Sequence, residues 1–393
     1  MLSNVSSTRR STVWRCTPLT YLIAWSACLA GCAPTEPAFD RWTHLGLDQK
    51  TITALAGTDW GLFAATTWGD VYHYDEATGD WDVLGLHDAI NSGGVTTLLF
   101  VTEPTPRLLV GVNAGGLPLG FPEAGIFAVE DRGATWKPWN GGLVVDDGFA
   151  AYSLARDPGR SERLYIGTWS AILRSEDGGL SWERVYGEFI GAGPGIRHML
   201  VSPHRDGGVW ATIREDNPLA TEGEPTKHTV LLRSDDWGDT WERVVPQGLD
   251  GSSIQTLAVD PFVADRMWLA GRSLFRSDDR GTTWIVALDS MTVAPRTVLI
   301  PNSDHFTGLA FLDNSLYTIG WSYGSGYHLA APVLTSPAST LAIYRLNPWN
   351  GRWEVLMVPP TLGGESFILS NDTDEDALLM TGGRSGVWRF VPN

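Results

Sequence analysis

The stretch LRSEDGGLSWERV, residues 173–185, decides how this chain is read. Close copies stand at 128–139 (AVEDRGATWKPW), 232–244 (LRSDDWGDTWERV) and 275–287 (FRSDDRGTTWIVA). Each is a short acidic, glycine-bearing turn that runs into Trp. A carboxylate placed there accepts hydrogen bonds from the N–H groups of its own turn, and Gly supplies the positive φ that such a hairpin needs. The Trp that follows enters the next strand as a packing anchor, with ~150–250 Å² of ring to bury. On this reading Asp131, Asp177, Asp236 and Asp279, with Trp136, Trp182, Trp241 and Trp284, are scaffolding rather than catalytic groups.

The turn belongs to a longer unit. Residues 154–185 (LARDPGRSERLYIGTWSAILRSEDGGLSWERV) align with 257–287 (LAVDPFVADRMWLAGRSLFRSDDRGTTWIVA). Each holds an alternating apolar run, a turn, a second run ending near Gly, a third run, and then the acidic turn. Period-two alternation bounded by Gly, Asp and Pro marks half-buried antiparallel strands, and four short strands per repeat is a propeller blade.

First strands are expected at TITALAG (51), VTTLLFV (95), AAYSLAR (150), IRHMLVS (196), IQTLAVD (254), FTGLAFL (306) and SFILS (366), which makes seven blades. Trp81, Trp136, Trp182, Trp241, Trp284 and Trp353 open six fourth strands, and the last blade runs out at VWRFVPN with three strands. DRWTHLGL (40–47) matches DWDVLGL (80–86), so Trp42 is the seventh anchor. The N-terminal strand is therefore expected to complete the last blade, sparing the ring two open edges. The expected fold is all-β: a single seven-bladed β-propeller of four-stranded antiparallel blades over residues 39–393.

The first residues form a targeting segment. Arg9, Arg10 and Arg15 precede the apolar run PLTYLIAWSACLA, which is too short for a permanent bilayer span and ends in LAGC. That ending resembles the lipobox of bacterial lipoproteins, which implies cleavage after residue 31 and lipidation of Cys32, with 32–38 as a short tether. Partners are then the membrane through the lipid and a glycan or protein ligand. Localisation is the cell envelope, extracytoplasmic, with the outer membrane favoured because Ala33 gives no retention Asp. Arg9-Arg10 leaves Sec and twin-arginine export both open.

The net charge of −17 argues against a nucleic-acid partner, because phosphate recognition is dominated by Lys and Arg. Cleavage leaves Cys32 as the only thiol, so neither a disulfide nor a Cys-ligated metal is expected. No His–Glu–His spacing points to a metal site, no cofactor is expected, and nothing calls for an oligomer.

If the acidic turns join third to fourth strands, the opposite face collects the second-to-third loops and the blade junctions. Trp68, Trp169, Arg272 and Arg384 occupy equivalent loop positions, and the loops 113–125, 214–228 and 320–340 are long. Arg214 and Trp321 open two of those loops, and Arg197, His198 and His305 lie on first strands of the same face. Arg binds carboxylate in two-pronged fashion and Trp stacks on apolar ring surfaces. Trp68, Trp169, Arg197, Arg214, Arg272, Trp321 and Arg384 are therefore the ligand-binding candidates, set against an ordinary solvated rim. Asp146, Asp147, Glu215, Asp216 and Glu365 are the weaker catalytic candidates.

The pattern Ser-x-Asp-x-Gly-x-Thr-Trp resembles the Asp-box, or BNR repeat. It stands here as Ser175, Asp177, Gly179, Ser181, Trp182; as Ser234, Asp236, Gly238, Thr240, Trp241; and as Ser277, Asp279, Gly281, Thr283, Trp284. The repeat layout resembles sortilin-type, xyloglucanase and photosystem II assembly-factor propellers across residues 39–393. Sialidases also carry Asp-boxes, but their Phe/Tyr-Arg-Ile-Pro motif is missing and their propellers have six blades. Xyloglucanases place their acidic pair between two tandem propellers, and one is seen here. The photosystem factor uses a basic patch that this acidic chain lacks.

Two function classes follow. The favoured expectation is a lipid-anchored, non-catalytic binding or assembly module whose loop face takes a glycan-like or carboxylate-bearing ligand or a protein. The alternative is a glycoside hydrolase, sialidase-like or other, with acid/base carboxylates on that face.

Overall fold

The fold was obtained as a computed structural model that describes residues 41–86, 94–102, 105–113, 125–130, 135–143, 150–169, 171–187, 195–216, 227–244, 254, 256–271, 273–288, 305–323, 339–356, 367–372, 377–382 and 384–392. Residues Phe39–Asn393 form one compact unit. Residues 1–40, Cys32 among them, lie outside the described residues.

The described residues fold into seven four-stranded antiparallel sheets. Their innermost strands are Ile52–Thr58, Gly94–Val101, Ser153–Asp157, Ile196–Val201, Thr256–Val259, His305–Leu312 and Phe367–Asp372, one from each expected first strand. Each packs beside the next, and the last packs against the first, so the ring is closed. This is the seven-bladed propeller that the repeat implied.

Closure falls where the Trp42 match placed it. Strand Trp42–Asp48 pairs with Ser385–Phe390, with Trp42 opposite Phe390, His44 opposite Trp388 and Asp48 opposite Ser385. A bulge between His44 and Gly46 bends this clasp. The seam also carries charge: Arg389 of blade 7 donates to Glu76 of blade 1, with Nη1 to Oε2 at 3.3 Å.

Burial explains why the repeat is so apolar in its middle. A blade has a neighbour on each face, so its central strands bury both faces, as in Met267–Ala270 and Ile126–Val129. The outer strands lie at the rim, and Asp80–Val83 is mostly exposed. Each interface between neighbouring blades has its own apolar cluster. Leu45, Leu62, Tyr72, Leu379 and Val387 pack blade 7 on blade 1. Trp42, Tyr317, Ile319, Ile343, Met380 and Phe390 pack blade 6 on blade 7. Burial of each such side chain stabilises by about 1.5–3 kcal/mol gross.

The anchor tryptophans do more than fill space. Trp81 donates its indole N–H to Leu45 O at 2.7 Å, Trp136 to Leu84 O at 2.6 Å, Trp182 to Trp139 O at 3.1 Å and Trp353 to Ala287 O at 3.2 Å. Each acceptor lies on or just after the outer strand of the preceding blade, so these side chains fasten one blade to the one before it. Trp284 instead bonds Gly281 O of its own turn at 2.9 Å.

Candidate functional site

The acidic turns come first because they are the most specific sequence signal. Asp177 accepts the Ser175 hydroxyl and the Ser181 N–H on Oδ1, both at 2.8 Å, and the Ser181 hydroxyl on Oδ2 at 2.6 Å. The Ser175 oxygen accepts Gly179 N–H at 2.8 Å. The same four bonds recur around Asp236 and Asp279, at 2.6–2.9 Å. Both carboxylate oxygens are thus committed to the turn itself. Neighbouring blades grip these turns as well: Trp237 O accepts from Tyr165 Oη at 2.8 Å and Arg174 Nη1 at 2.9 Å, while Arg163 lies 5.0 Å over the Trp237 ring. Burial pushes the Tyr165 phenol well up from its ordinary range, so it stays a donor. These bonds lie within the turns and to the neighbouring blade; Asp131 lies outside the described residues.

On the opposite face, three second-to-third turns share one device. A Thr at the end of the second strand turns its hydroxyl back on the loop. Thr66 Oγ1 accepts Asp70 N–H at 3.2 Å; Thr168 Oγ1 donates to Ala171 O at 3.0 Å and accepts its N–H at 3.1 Å; Thr381 Oγ1 donates to Gly386 O at 2.9 Å. The residues held up by these braced turns are Trp68, Trp169 and Arg384. Trp68 is 72% exposed and Trp169 39%, and Arg384 is exposed. They sit in blades 1, 3 and 7.

Arg214 and Trp321 require a correction. They were expected to open loops, but both lie within ladders. In blade 5 the second-to-third pairing stops at Ala270↔Leu274. In blade 4 it runs past the equivalent Thr212↔Leu231 through Arg214↔Thr229 and Glu215↔His228 to Asp216↔Lys227. In blade 6 it runs past Ile319↔Ile343 through Trp321↔Leu341 to Tyr323↔Ser339. Each hairpin therefore rises four residue pairs above blade 5, about 13 Å at strand rise. Two raised hairpins flank one low blade, with Arg214 and Trp321 at equivalent heights; Arg272 lies outside the described residues. The ladder was missed because the stretches 214–228 and 320–340, with their Gly, Pro and Ser or Asn residues, read as loops.

Bulges on the first strands re-aim the junction residues. The extra residue is Thr53 in blade 1, Thr96 in blade 2, Arg197 in blade 4 and Gly308 in blade 6. His198 pairs with Thr212 and His305 with Trp321. In blade 3, Tyr152 N–H bonds Gly167 O at 2.8 Å, and its ring meets Trp169 at 5.1 Å between centroids and 80° between planes. Sequence reasoning passed over Tyr152; the only available signal was an aromatic near the start of a first strand.

Among the carboxylates, Glu215 and Asp216 occupy the top two register positions of the blade 4 hairpin. Asp146, Asp147 and Glu365 lie outside the described residues. Among the described residues, no group of three or more His, Cys, Asp or Glu is placed to hold a metal ion.

No protein-family model matches the chain. It is 30% identical over 212 residues to the xyloglucanase Xgh74A of Acetivibrio thermocellus, a match spanning 48% of this chain and 25% of that protein. The chain thus spans about a quarter of the length of that relative. Among solved structures it resembles a GH74 enzyme from Niastella koreensis, with TM-score 0.60, 15% identity, and 89% of this chain and 53% of the other covered. It also resembles YCF48 from Cyanidioschyzon merolae, with TM-score 0.58, 14% identity, and 90% and 99% covered. At such identities the structural likenesses speak for the propeller alone. The curated match goes against the favoured expectation of a non-catalytic module: the relative is a xyloglucanase, which agrees with the alternative reading instead.

Proposed function

We propose that this chain is an extracytoplasmic glycoside hydrolase acting on a xyloglucan-type polysaccharide, with its chemistry on the loop face. One observation carries the reading: Glu215 and Asp216 stand on the raised hairpin of blade 4, in a chain 30% identical over 212 residues to a xyloglucanase. Glycoside cleavage needs two carboxyls, one protonating the departing oxygen and the other activating water or attacking the sugar, ~5–5.5 Å apart for retention or ~6.5–9.5 Å for inversion. Glu215, Asp216, Asp146, Asp147 and Glu365 are the candidates for that pair. The exposed Trp68 and Trp169, with Arg197, Arg214, Arg272, Trp321 and Arg384, provide stacking surfaces and hydrogen-bond donors for the sugar chain. The three braced acidic turns support a place among Asp-box propellers. The lipobox-like LAGC supports a lipid anchor at Cys32, holding a monomeric enzyme at the cell envelope.

The test is release of reducing ends from xyloglucan by the purified full chain. Glu215→Gln, Asp216→Asn, Asp146→Asn, Asp147→Asn and Glu365→Gln are then compared, and loss of the general acid or its partner should lower kcat about 100-fold or more. A wild-type chain that releases nothing, or five variants that all keep full activity, would sink the proposal.

A further inference from the structure

Trp169 is unlike the tryptophans that hold the blades together. Trp182 and Trp284 are each only 5% exposed, whereas Trp169 is 39% exposed. Its position does not demand an aromatic for folding, since blade 7 carries Arg384 in the equivalent turn.

Its backbone is nonetheless pinned from both sides. The Thr168 hydroxyl braces the turn through Ala171. From blade 4, Gly195 N–H donates to Trp169 O at 2.7 Å and Ile196 N–H to Thr168 O at 2.8 Å. The backbone under the partner ring is held too, because Tyr152 N–H bonds Gly167 O, and the next residue, Ser153, donates through Oγ to Ile196 O at 3.2 Å. Two rings set at 80° on rigid backbone form a corner at the junction of blades 3 and 4. Rotating the indole out of place would break its edge contact with Tyr152.

We infer that the Trp169–Tyr152 corner is a sugar-stacking subsite that takes the apolar face of one pyranose ring of the polysaccharide; this inference rests on the glycoside-hydrolase reading above. A pyranose presents a flat patch of C–H groups on one face and hydroxyls around its edge. An exposed indole covers the patch, and a second ring at right angles walls one side. Rigid aromatics supply contact area with little side-chain entropy to lose. The corner lies on the blade 3 side of the raised blade 4 hairpin. It thus engages the chain away from the low blade between the two hairpins, and its contribution is to binding rather than to bond cleavage.

The experiment measures binding of xyloglucan oligosaccharides to the purified full chain by calorimetry, and steady-state hydrolysis of xyloglucan polymer. Trp169→Ala and Tyr152→Ala should weaken binding about ten- to hundred-fold, the range for losing one well-packed apolar contact. KM on polymer should rise by a similar factor while kcat holds. Trp169→Phe and Tyr152→Phe keep a ring in place and should recover most of the affinity, with unchanged thermal melts as the folding control. Wild-type binding that both alanine variants retain in full would overturn the corner and leave the hydrolase standing. A wild-type chain that neither binds nor cleaves xyloglucan would overturn the hydrolase, and the corner with it.

Discussion

Trp81 of blade 1 donates its indole N–H to the carbonyl of Leu45, 2.7 Å away on the N-terminal strand that completes blade 7. One side chain thus fastens the two ends of the ring. The preceding-blade carbonyls take the same kind of bond from Trp136, Trp182 and Trp353. Trp241 differs, because its Nε1 is buried with no hydrogen-bond partner among the described residues.

That contrast gives a first prediction. Trp81→Phe should destabilise the propeller by about 1–3 kcal/mol, since it removes a donor and leaves Leu45 O unpaired at the seam. Trp241→Phe removes an N–H that already lacks a partner, so its hydrogen-bond cost should be near zero. Urea midpoints of the two variants are the measurement, and equal losses would refute the fastening role.

The clasp is also sterically tight. Gly386 has φ +75°, and a Cβ there would clash with Gly46 O. Gly351 has φ +65° but open space around its missing Cβ. Gly351→Ala should therefore cost only the backbone penalty, about 1–2 kcal/mol. Gly386→Ala should cost clearly more, because the N-terminal strand must move. Melting temperatures in the opposite order would argue against the observed register.

The acidic turns make stability pH-dependent. Burial alone would raise the Asp177 carboxyl, but the hydroxyl and N–H of Ser181 and the hydroxyl of Ser175 outweigh it and hold it below the usual range. The Thr240 hydroxyl and N–H do the same for Asp236. At Asp279, burial is again outweighed, by the hydroxyl and N–H of Thr283. A depressed folded-state value stabilises fully above the unfolded value of about 4, and that stabilisation is lost as pH falls through the folded value. Replacing the three with Asn should therefore flatten the acid limb of the urea midpoint below about pH 5. A limb as steep as wild type would contradict the assignment.

Arg107 offers a fourth test. It is 2% exposed, donates through Nε to Thr105 O at 3.0 Å and through Nη1 to Gly178 O at 3.3 Å, and lies 5.0 Å over the Trp139 ring. It ties the start of a blade 2 strand to the acidic turn of blade 3. Lys keeps the charge but has no planar fork to reach from separate nitrogens to the two carbonyls while lying flat on an indole. Arg107→Lys should destabilise by about 1–3 kcal/mol, read as a lower thermal midpoint; an unchanged midpoint would mean that the guanidinium geometry is idle.

The blade count and closure through Trp42 were legible in the chain, and so was the repetition of the turns around Asp177, Asp236 and Asp279. Each depends on a short local pattern repeated at fixed spacing, and repetition makes a weak local signal strong. The candidate site was only partly legible. The equivalence of Trp68, Trp169 and Arg384 followed from the repeat, but the raised hairpins bearing Arg214 and Trp321 did not, because their turn-forming residues read as loops. Trp81 and Leu45 are neighbours only once blades stand side by side, and Tyr152 and Trp169 only once the strands of blade 3 have paired. Such contacts come from inter-blade packing and from strand pairing, and neither leaves a periodic trace in the sequence.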